Sequence, residues 1–531
     1  MAQSLMVFPA ALLALTTVCS RSAAADLPPR QITANVAQVV GAHSQAPLMC
    51  VGAGRANEGL RADWQKQLAL VQREIGFRYI RFHGLLNDDM GVYKEDSAGH
   101  PRYNFQYIDS LYDALLALHI RPLVELSFVP TALASGSKTV FWWKGNITPP
   151  KDMQKWQGLI RALLLHWKQR YGEKEISQWY FEVWNEPDLK IFFSGSRAQY
   201  FQLYAATATA IRSVCPQCRV GGPASATAAT EKPFLQYVAS HHLPVDFIST
   251  HVYATKSGFV DPATGAVSTI FDTSPESIIS RMRTSREEIV NSPLPHLQLH
   301  YTEWGSSWTS ADPLHDQYLQ ASFILDKVRK ASPFVDSMSW WTFTDIFEER
   351  GPRFTPFYGG FGLLNYESIP KPSFFAYEFL SRLGKSDVAT TDTAPGGPHA
   401  WITRTGERQV QALFWDYSPI GPPPGQDDQS FFKKEIPTSP ASPVELTLTH
   451  LHPGRYRLQV YRVGYEENDA YTAYLHLGAP SQLTRQQVAA LQRDASGAPV
   501  EERRITIHHG TLRQTFPMRK NDVCLVTLTR M

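Results

Sequence analysis

Trp179 to Leu189 reads WYFEVWNEPDL, an apolar and aromatic run that ends in Asn185-Glu186-Pro187. Such a run has the length of a buried strand. Proline stops it, because it donates no backbone hydrogen bond. Glu186 is thereby predicted just past a strand end, where side chains leave a rigid core and meet ligand. His296 to Trp304, HLQLHYTEW, has the same grammar: an alternating strand ends in Glu303, followed by Trp304 and Gly305. The two glutamates stand 117 residues apart, about the span of three strand–helix repeats. Two carboxylates at the same ends of two parallel strands, beside tryptophans, are what cleavage of a glycosidic bond asks for.

Outward from these stretches the rhythm repeats. Strands are predicted at Met49–Ala53, Tyr79–His83, Pro122–Phe128, Trp179–Trp184, Arg219–Pro223, Asp246–His251, Leu297–Glu303 and Ser337–Phe343. Helical periodicity fills the intervals: in Asp63–Ile75, Trp64, Leu68, Val71 and Ile75 recur every three or four residues, with Asp63 as the expected cap. Eight such units over residues 49–383 predict parallel pairing and an α/β fold, a (β/α)8 TIM barrel. The alternative, a doubly wound open sheet, lacks a Gly-x-Gly-x-x-Gly after its first strand. On this count His83, Glu186, His251, Glu303 and Trp341 all lie at the strand ends where barrel active sites form. Past Gly384, short alternating runs such as Gln409–Trp415, Val444–His450, Tyr456–Val463 and Val523–Leu528 predict an accessory antiparallel β-sandwich over 384–531. The strand Gln31–Val40, within residues 26–48, is expected to join it.

The chain has 531 residues with 51 Lys plus Arg against 49 Asp plus Glu. That balance excludes a nucleic-acid or membrane-surface partner as the leading reading. Met6 to Val18 is apolar and is followed by Ala23 and Ala25, an A-x-A pattern. Residues 1–25 are read as a cleavable signal peptide, although Met1 to Leu5 carries no Lys or Arg. A periplasmic or secreted location follows, and no other stretch has the ~18 apolar residues of a membrane span. Cys19 leaves with the signal; Cys215 and Cys218, in CPQC, form either a tight local disulfide or two plain thiols. Cys50 and Cys524 could bridge, but sequence alone does not pair them.

Glycoside hydrolysis needs a proton for the leaving oxygen and negative charge near the anomeric carbon. Glu186 is assigned as acid/base and Glu303 as nucleophile. Asn185 offers a donor and an acceptor for a hydroxyl next to the reacting carbon. His83 and His251 are placed to hydrogen-bond sugar hydroxyls. Tyr253 either orients the nucleophile or packs, and Trp341 is either a platform under the sugar ring or core. Of Glu348 and Glu349, one binds a hydroxyl and the other pairs with Arg350 or Arg353. No metal site is expected: His296 and His300, at i and i+4 in a strand, stand roughly 13 Å apart.

Trp184-Asn185-Glu186-Pro187-Asp188, His251-Val252-Tyr253, Tyr301-Thr302-Glu303-Trp304 and the block Trp340–Leu364 resemble glycoside hydrolase family 39, and within it the bacterial β-xylosidases. The resemblance runs from Val51 to Leu383. It implies a retaining, cofactor-free enzyme with a barrel and a β-sandwich, acting on an oligosaccharide by double displacement. It matches the acid/base to Glu186, the nucleophile to Glu303, and sugar-binding residues to His83, Asn185, His251, Tyr253, Trp341 and Glu349. It thereby favours Glu349 over Glu348. An exo-acting β-D-xylosidase is expected. The alternatives are an endo-acting or other β-glycoside hydrolase of the family, an α-L-iduronidase, or a non-catalytic glycan-binding protein.

Overall fold

The computed structural model describes residues 27–260, 267–426 and 428–531. The expected signal peptide, with Cys19, lies outside them.

Eight strands close into a barrel in chain order: Cys50–Arg55, Tyr79–His83, Arg121–Glu125, Tyr180–Glu182, Arg219–Ser225, Phe247–Tyr253, Gln298–Gly305 and Ser337–Trp340. Every pairing is parallel, including the one that returns the eighth strand to the first. Helices fill the crossovers, as parallel pairing requires, and their apolar stripes make one core with the outward strand faces. Helix Ala62–Glu74 buries Trp64, Leu68 and Val71, but its N-cap is Arg61; Asp63 sits in the first turn, paired with Arg61. Asp152 and Ser196, by contrast, do cap helices Met153–Tyr171 and Arg197–Val214 with their side chains.

The barrel interior changes character along its axis. Cys50, Leu123, Tyr180 and Phe247 form an apolar plug at one end. Tyr79 packs against it, and two residues beyond Tyr79, Leu123 and Tyr180 stand Arg81, Glu125 and Glu182, all buried. Since side chains two apart share a face, Tyr79–Arg81–His83, Leu123–Glu125 and Tyr180–Glu182 each run from plug to charged layer. The seventh strand departs from simple alternation. Tyr301 pairs with Thr250 and Glu303 with His251, so Thr302 is the extra residue of a β-bulge. Thr302 and Glu303 both reach inward as a result.

The accessory domain is one nine-stranded sheet that folds over on itself. Its strand order is Glu501–Ile507, Gly454–Val463, Val523–Arg530, Gln409–Trp415, Ala400–Thr405, Ser386–Asp392, Arg30–Ala42, Pro440–Thr449, Leu512–Arg519. Phe414 and Phe516, on strands five places apart in that order, pack tilted rings 5.5 Å apart and share one buried cluster. The sheet is mixed rather than wholly antiparallel: Arg30–Ala42 runs antiparallel to Ser386–Asp392 but parallel to Pro440–Thr449. Two helices, Ala470–His476 and Arg485–Asp494, interrupt the strands. Trp401, Leu413, Trp415 and Leu525 belong to the same core as the barrel helices, whereas Ile402, Ala412, Phe414 and Val526 face the fold's own interior. This explains why so many strand positions here are apolar on both faces. Cys215 and Cys218 are disulfide-bonded across the turn between helix Arg197–Val214 and strand Arg219–Ser225. Cys50 and Cys524 are unbonded and lie in separate cores.

Candidate active site

Glu186 and Glu303 meet at the C-terminal end of the barrel. The fourth strand ends at Glu182; the chain then turns sharply, with positive φ at Trp184 (76°) and Glu186 (44°). The Glu186 amide donates to Ala224 O at 2.8 Å, which ties the turn to the fifth strand. Such backbone persists where surrounding structure enforces it, often at functional sites. Glu303 lies inside the seventh strand, beyond the bulge. An oxygen of Glu186, an oxygen of Glu303 and a ring nitrogen of His251 lie within 4.8 Å of one another. Both carboxyls are nearly buried, at 8 % and 5 % exposure.

Their surroundings differ. Arg81 Nη1 donates to Glu303 Oε1 at 2.6 Å and the Tyr253 hydroxyl donates to Oε2 at 2.7 Å. Tyr253 thus orients the carboxylate, and burial together with the Glu303 charge lifts its own pKa well above normal, so it stays a donor. Glu186 has no cation at hydrogen-bond distance; its Oε1 meets His251 Nδ1 at 2.8 Å. Burial, then the negative charges of Glu303 and Asp188, push its pKa well above the usual carboxyl range, and Arg81 only partly opposes them. His251 is pulled well below its ordinary value by burial and then by Arg81 and His83. The arrangement therefore sets a carboxyl that resists ionisation, Glu186, beside one that a guanidinium and a phenol hold by both oxygens.

Arg81 is the hub. Besides Glu303 it donates to Glu182 Oε2 at 2.6 Å and to Asn185 Oδ1 at 2.7 Å, and it lies 2.8 Å from Glu125 Oε2. Asn185 is thereby fixed with its amide NH2 free to serve a ligand. His83 Nδ1 is held by Glu125 at 2.7 Å, and Ser127 donates to the same carboxylate. Burial works hardest against a charged His83, but the charge and hydrogen bond of Glu125 together with the charge of Glu303 leave its pKa raised. The other nitrogen, Nε2, lies 3.7 Å from Glu303 and 3.8 Å from Glu349. Both nitrogens of His251 are engaged, Nδ1 by Glu186 and Nε2 by Thr302 at 3.2 Å. The structure therefore places His251 as a partner of Glu186, not as an open ligand for sugar hydroxyls.

Trp341 packs its ring 4.8 Å from His83 and under the Arg81 guanidinium, in a small aromatic cluster with Phe347 and Phe361. Position 52 must be glycine here, since a Cβ would stand 2.4 Å from the Trp341 ring. Trp184 and Trp304 do not wall the site; both are wholly buried in the core between strands and helices. Glu349 faces the site, and burial pushes its pKa up to about 8. Glu348 turns away and pairs with Arg55 and Arg61, not with Arg350 or Arg353. Neither the charged layer of Arg81, Glu125 and Glu182 nor the Thr302 hydroxyl bonded to it is singled out by the sequence. The layer's signal is the two-residue spacing: Arg81 lies two before His83, and Glu182 lies four before Glu186. Glu186, His251 and Glu303 also make a set that could hold a cation. Arg81 already neutralises Glu303, however, and His251 Nδ1 is occupied, so the chemistry of the set calls for none.

A barrel with this pair of carboxyls at its C-terminal mouth defines a glycosidase, an enzyme of carbohydrate substrates. The model of glycosyl hydrolases family 39 matches residues 38–513, and the chain belongs to that family. It is 38 % identical over 488 residues to a β-xylosidase of Geobacillus stearothermophilus, covering 91 % of this chain and 92 % of that one. Among solved structures, the family 39 enzyme of Xanthomonas axonopodis pv. citri is 41 % identical with a TM-score of 0.90, over 95 % of this chain and 98 % of that one. A monomeric β-xylosidase of Caulobacter crescentus CB15 is 39 % identical with a TM-score of 0.90, over 94 % and 100 %.

Proposed function

We propose that this enzyme is a retaining β-D-xylosidase that releases xylose from the non-reducing end of xylo-oligosaccharides. The approach of the two carboxyls to within 4.8 Å carries the reading. Retaining enzymes hold them at ~5–5.5 Å, whereas inverting ones leave roughly 6.5–9.5 Å for a water. Glu303 attacks the anomeric carbon while Glu186 gives its proton to the departing oxygen. Glu186, now a base, takes a proton from water as that water displaces Glu303 from the glycosyl-enzyme. Asn185, His83, Trp341 and Glu349 surround the sugar, and Tyr253 releases Glu303 by degrees as its charge moves into the new bond. The xylosidases among its relatives support the choice of sugar.

A panel of aryl β-glycosides and xylo-oligosaccharides tests this, with proton NMR following the first product. Fastest turnover on β-xylosides with β-xylose as the initial product is expected. An initial α-product would overturn retention; preference for another sugar or for internal bonds would replace the substrate. We also read the enzyme as exported. The apolar leader with its A-x-A pattern and the Cys215–Cys218 disulfide support this, since such bonds persist in oxidising compartments. Mass analysis of the native protein's N-terminus tests it; a retained Met1 would reject it. No helix among the described residues is long and apolar enough to cross a membrane.

A further inference from the structure

Thr302 is fully buried, is the extra residue of the seventh-strand bulge, and has no place in the chemistry above. Its hydroxyl donates to Glu182 Oε1 at 2.8 Å and lies 3.2 Å from His251 Nε2, whose Nδ1 meets Glu186 Oε1 at 2.8 Å. Four side chains from three strands and one turn thus form a single line of hydrogen bonds ending at the acid.

The polarity of that line can be worked out from its far end. Arg81 donates at 2.6 Å to the other oxygen of Glu182; burial leaves the pKa of that carboxyl above its ordinary value, and the guanidinium contact is what favours the ionised form. A carboxylate only accepts, so the single Thr302 proton points at Glu182. Thr302 then accepts from His251, whose proton must sit on Nε2. Burial keeps the imidazole neutral, so its Nδ1 carries a lone pair and no proton. The atom facing that lone pair, Glu186 Oε1, has to bring the hydrogen. We propose that Thr302 is a positioning residue that locks the His251 tautomer and thereby holds Glu186 in its protonated form between turnovers. No proton is transferred along the line; it is a matter of which atoms bear them.

Other groups face the same atoms. Glu186 also feels the charges of Glu303, Asp188, Arg81 and Glu349 and lies near Tyr253; His251 feels those of Arg81, His83 and Arg281, and its Nδ1 lies 3.6 Å from Glu303. None of these hydrogen-bonds His251 Nε2, so none sets the tautomer. Without the threonine acceptor, the imidazole is free to place its proton on Nδ1. It would then donate to an ionised Glu186 and favour that form.

The inference rests on Glu186 being the acid. The experiment is the pH dependence of kcat/KM on xylobiose, whose poor leaving group needs that acid. Thr302→Val, which keeps the shape and removes the hydroxyl, should move the alkaline limb down by about one pH unit. Thr302→Ser should leave it at the wild-type position. A wild-type limb in folded Thr302→Val, or a limb moved upward, overturns the proposal, since a purely structural threonine would lower the rate at every pH without moving the limb. Nitrogen NMR of 15N-histidine-labelled wild-type enzyme gives a test that needs no folded valine variant. The His251 signal, identified by its loss in His251→Asn, should show protonated Nε2 and bare Nδ1; the reverse overturns the proposal. If Glu186 were not the acid, Glu186→Ala would depress activated aryl xylosides and xylobiose alike, which separates that failure from this one.

Discussion

Glu186 and Glu303 are the same residue type, bring carboxyl oxygens within 4.8 Å of each other, and are both nearly hidden from water, yet the protein treats them as different chemicals. Glu303 is met by an arginine and a phenol. Glu186 is met by a neutral imidazole and by the charge of its own twin. Burial alone makes any carboxyl reluctant to ionise; only the neighbours decide which of two buried carboxyls keeps its charge. The lesson is that function here lies in the asymmetry of the shell, because the pair itself is symmetric.

The sharpest way to break the comparison is to delete each member. Glu303→Gly should lose about 10⁵-fold in kcat. Azide should restore turnover, with α-xylosyl azide as the product, because the small anion enters from the vacated side. Glu186→Ala should lose about 10³-fold on xylobiose and little on activated aryl xylosides. Its azide product should be the β-anomer. Chromatography of the two azides reads the outcome, and the same anomer from both variants would end the distinction.

A smaller effect is expected from the Glu303 shell. Tyr253→Phe removes one hydrogen bond to a charged group, and kcat should fall about tenfold. Steady-state kinetics check it, and a fall confined to KM would remove Tyr253 from the nucleophile's support. The last effect is read in stability rather than in rate. Glu349 carries a folded pKa of about 8 against an ordinary 4.5, so the folded state binds the extra proton between those values. Stability of the wild type therefore falls as pH rises through that window. Glu349→Gln should melt with the wild type below pH 4.5 and progressively above it in temperature up to about pH 8. Melting curves across this range test the sign, and a gap that is constant with pH would refute it.

Much of this was legible in the chain. Apolar runs of strand length bounded by Pro and Gly located the eight barrel strands, and Tyr79–His83 agrees at both ends. Glu186 announced itself because Pro187 forces an exit from the sheet. What sequence hid has a common cause: charges inside a barrel look like charges on a surface. Arg81 and Glu182 alternate with Ile80, Phe82 and Phe181 as a solvated face would. Only closure of the barrel shows that both faces are buried. The bulge at Thr302 is invisible for a related reason, since HYTEW alternates well enough without it. His251 offers two ring nitrogens to a sugar in the sequence, but in the fold Glu186 and Thr302 engage both. The hairpin strands Thr255–Val260 and Val267–Phe271 also escaped. So did the parallel pairing of the leading strand, which needs a partner far along the chain.

That leading strand has a consequence for how the molecule is made and handled. Arg30 clamps Asp392 with two hydrogen bonds, at 2.7 and 2.6 Å, across 362 residues, and its strand sits between two others rather than at an edge. It is made before both of its neighbours, Ser386–Asp392 and Pro440–Thr449, and must stay uncommitted until they have emerged. Trimming the front of the gene would therefore split the rear of the protein, and expressing the rear alone would leave two unsatisfied strand borders open to self-association.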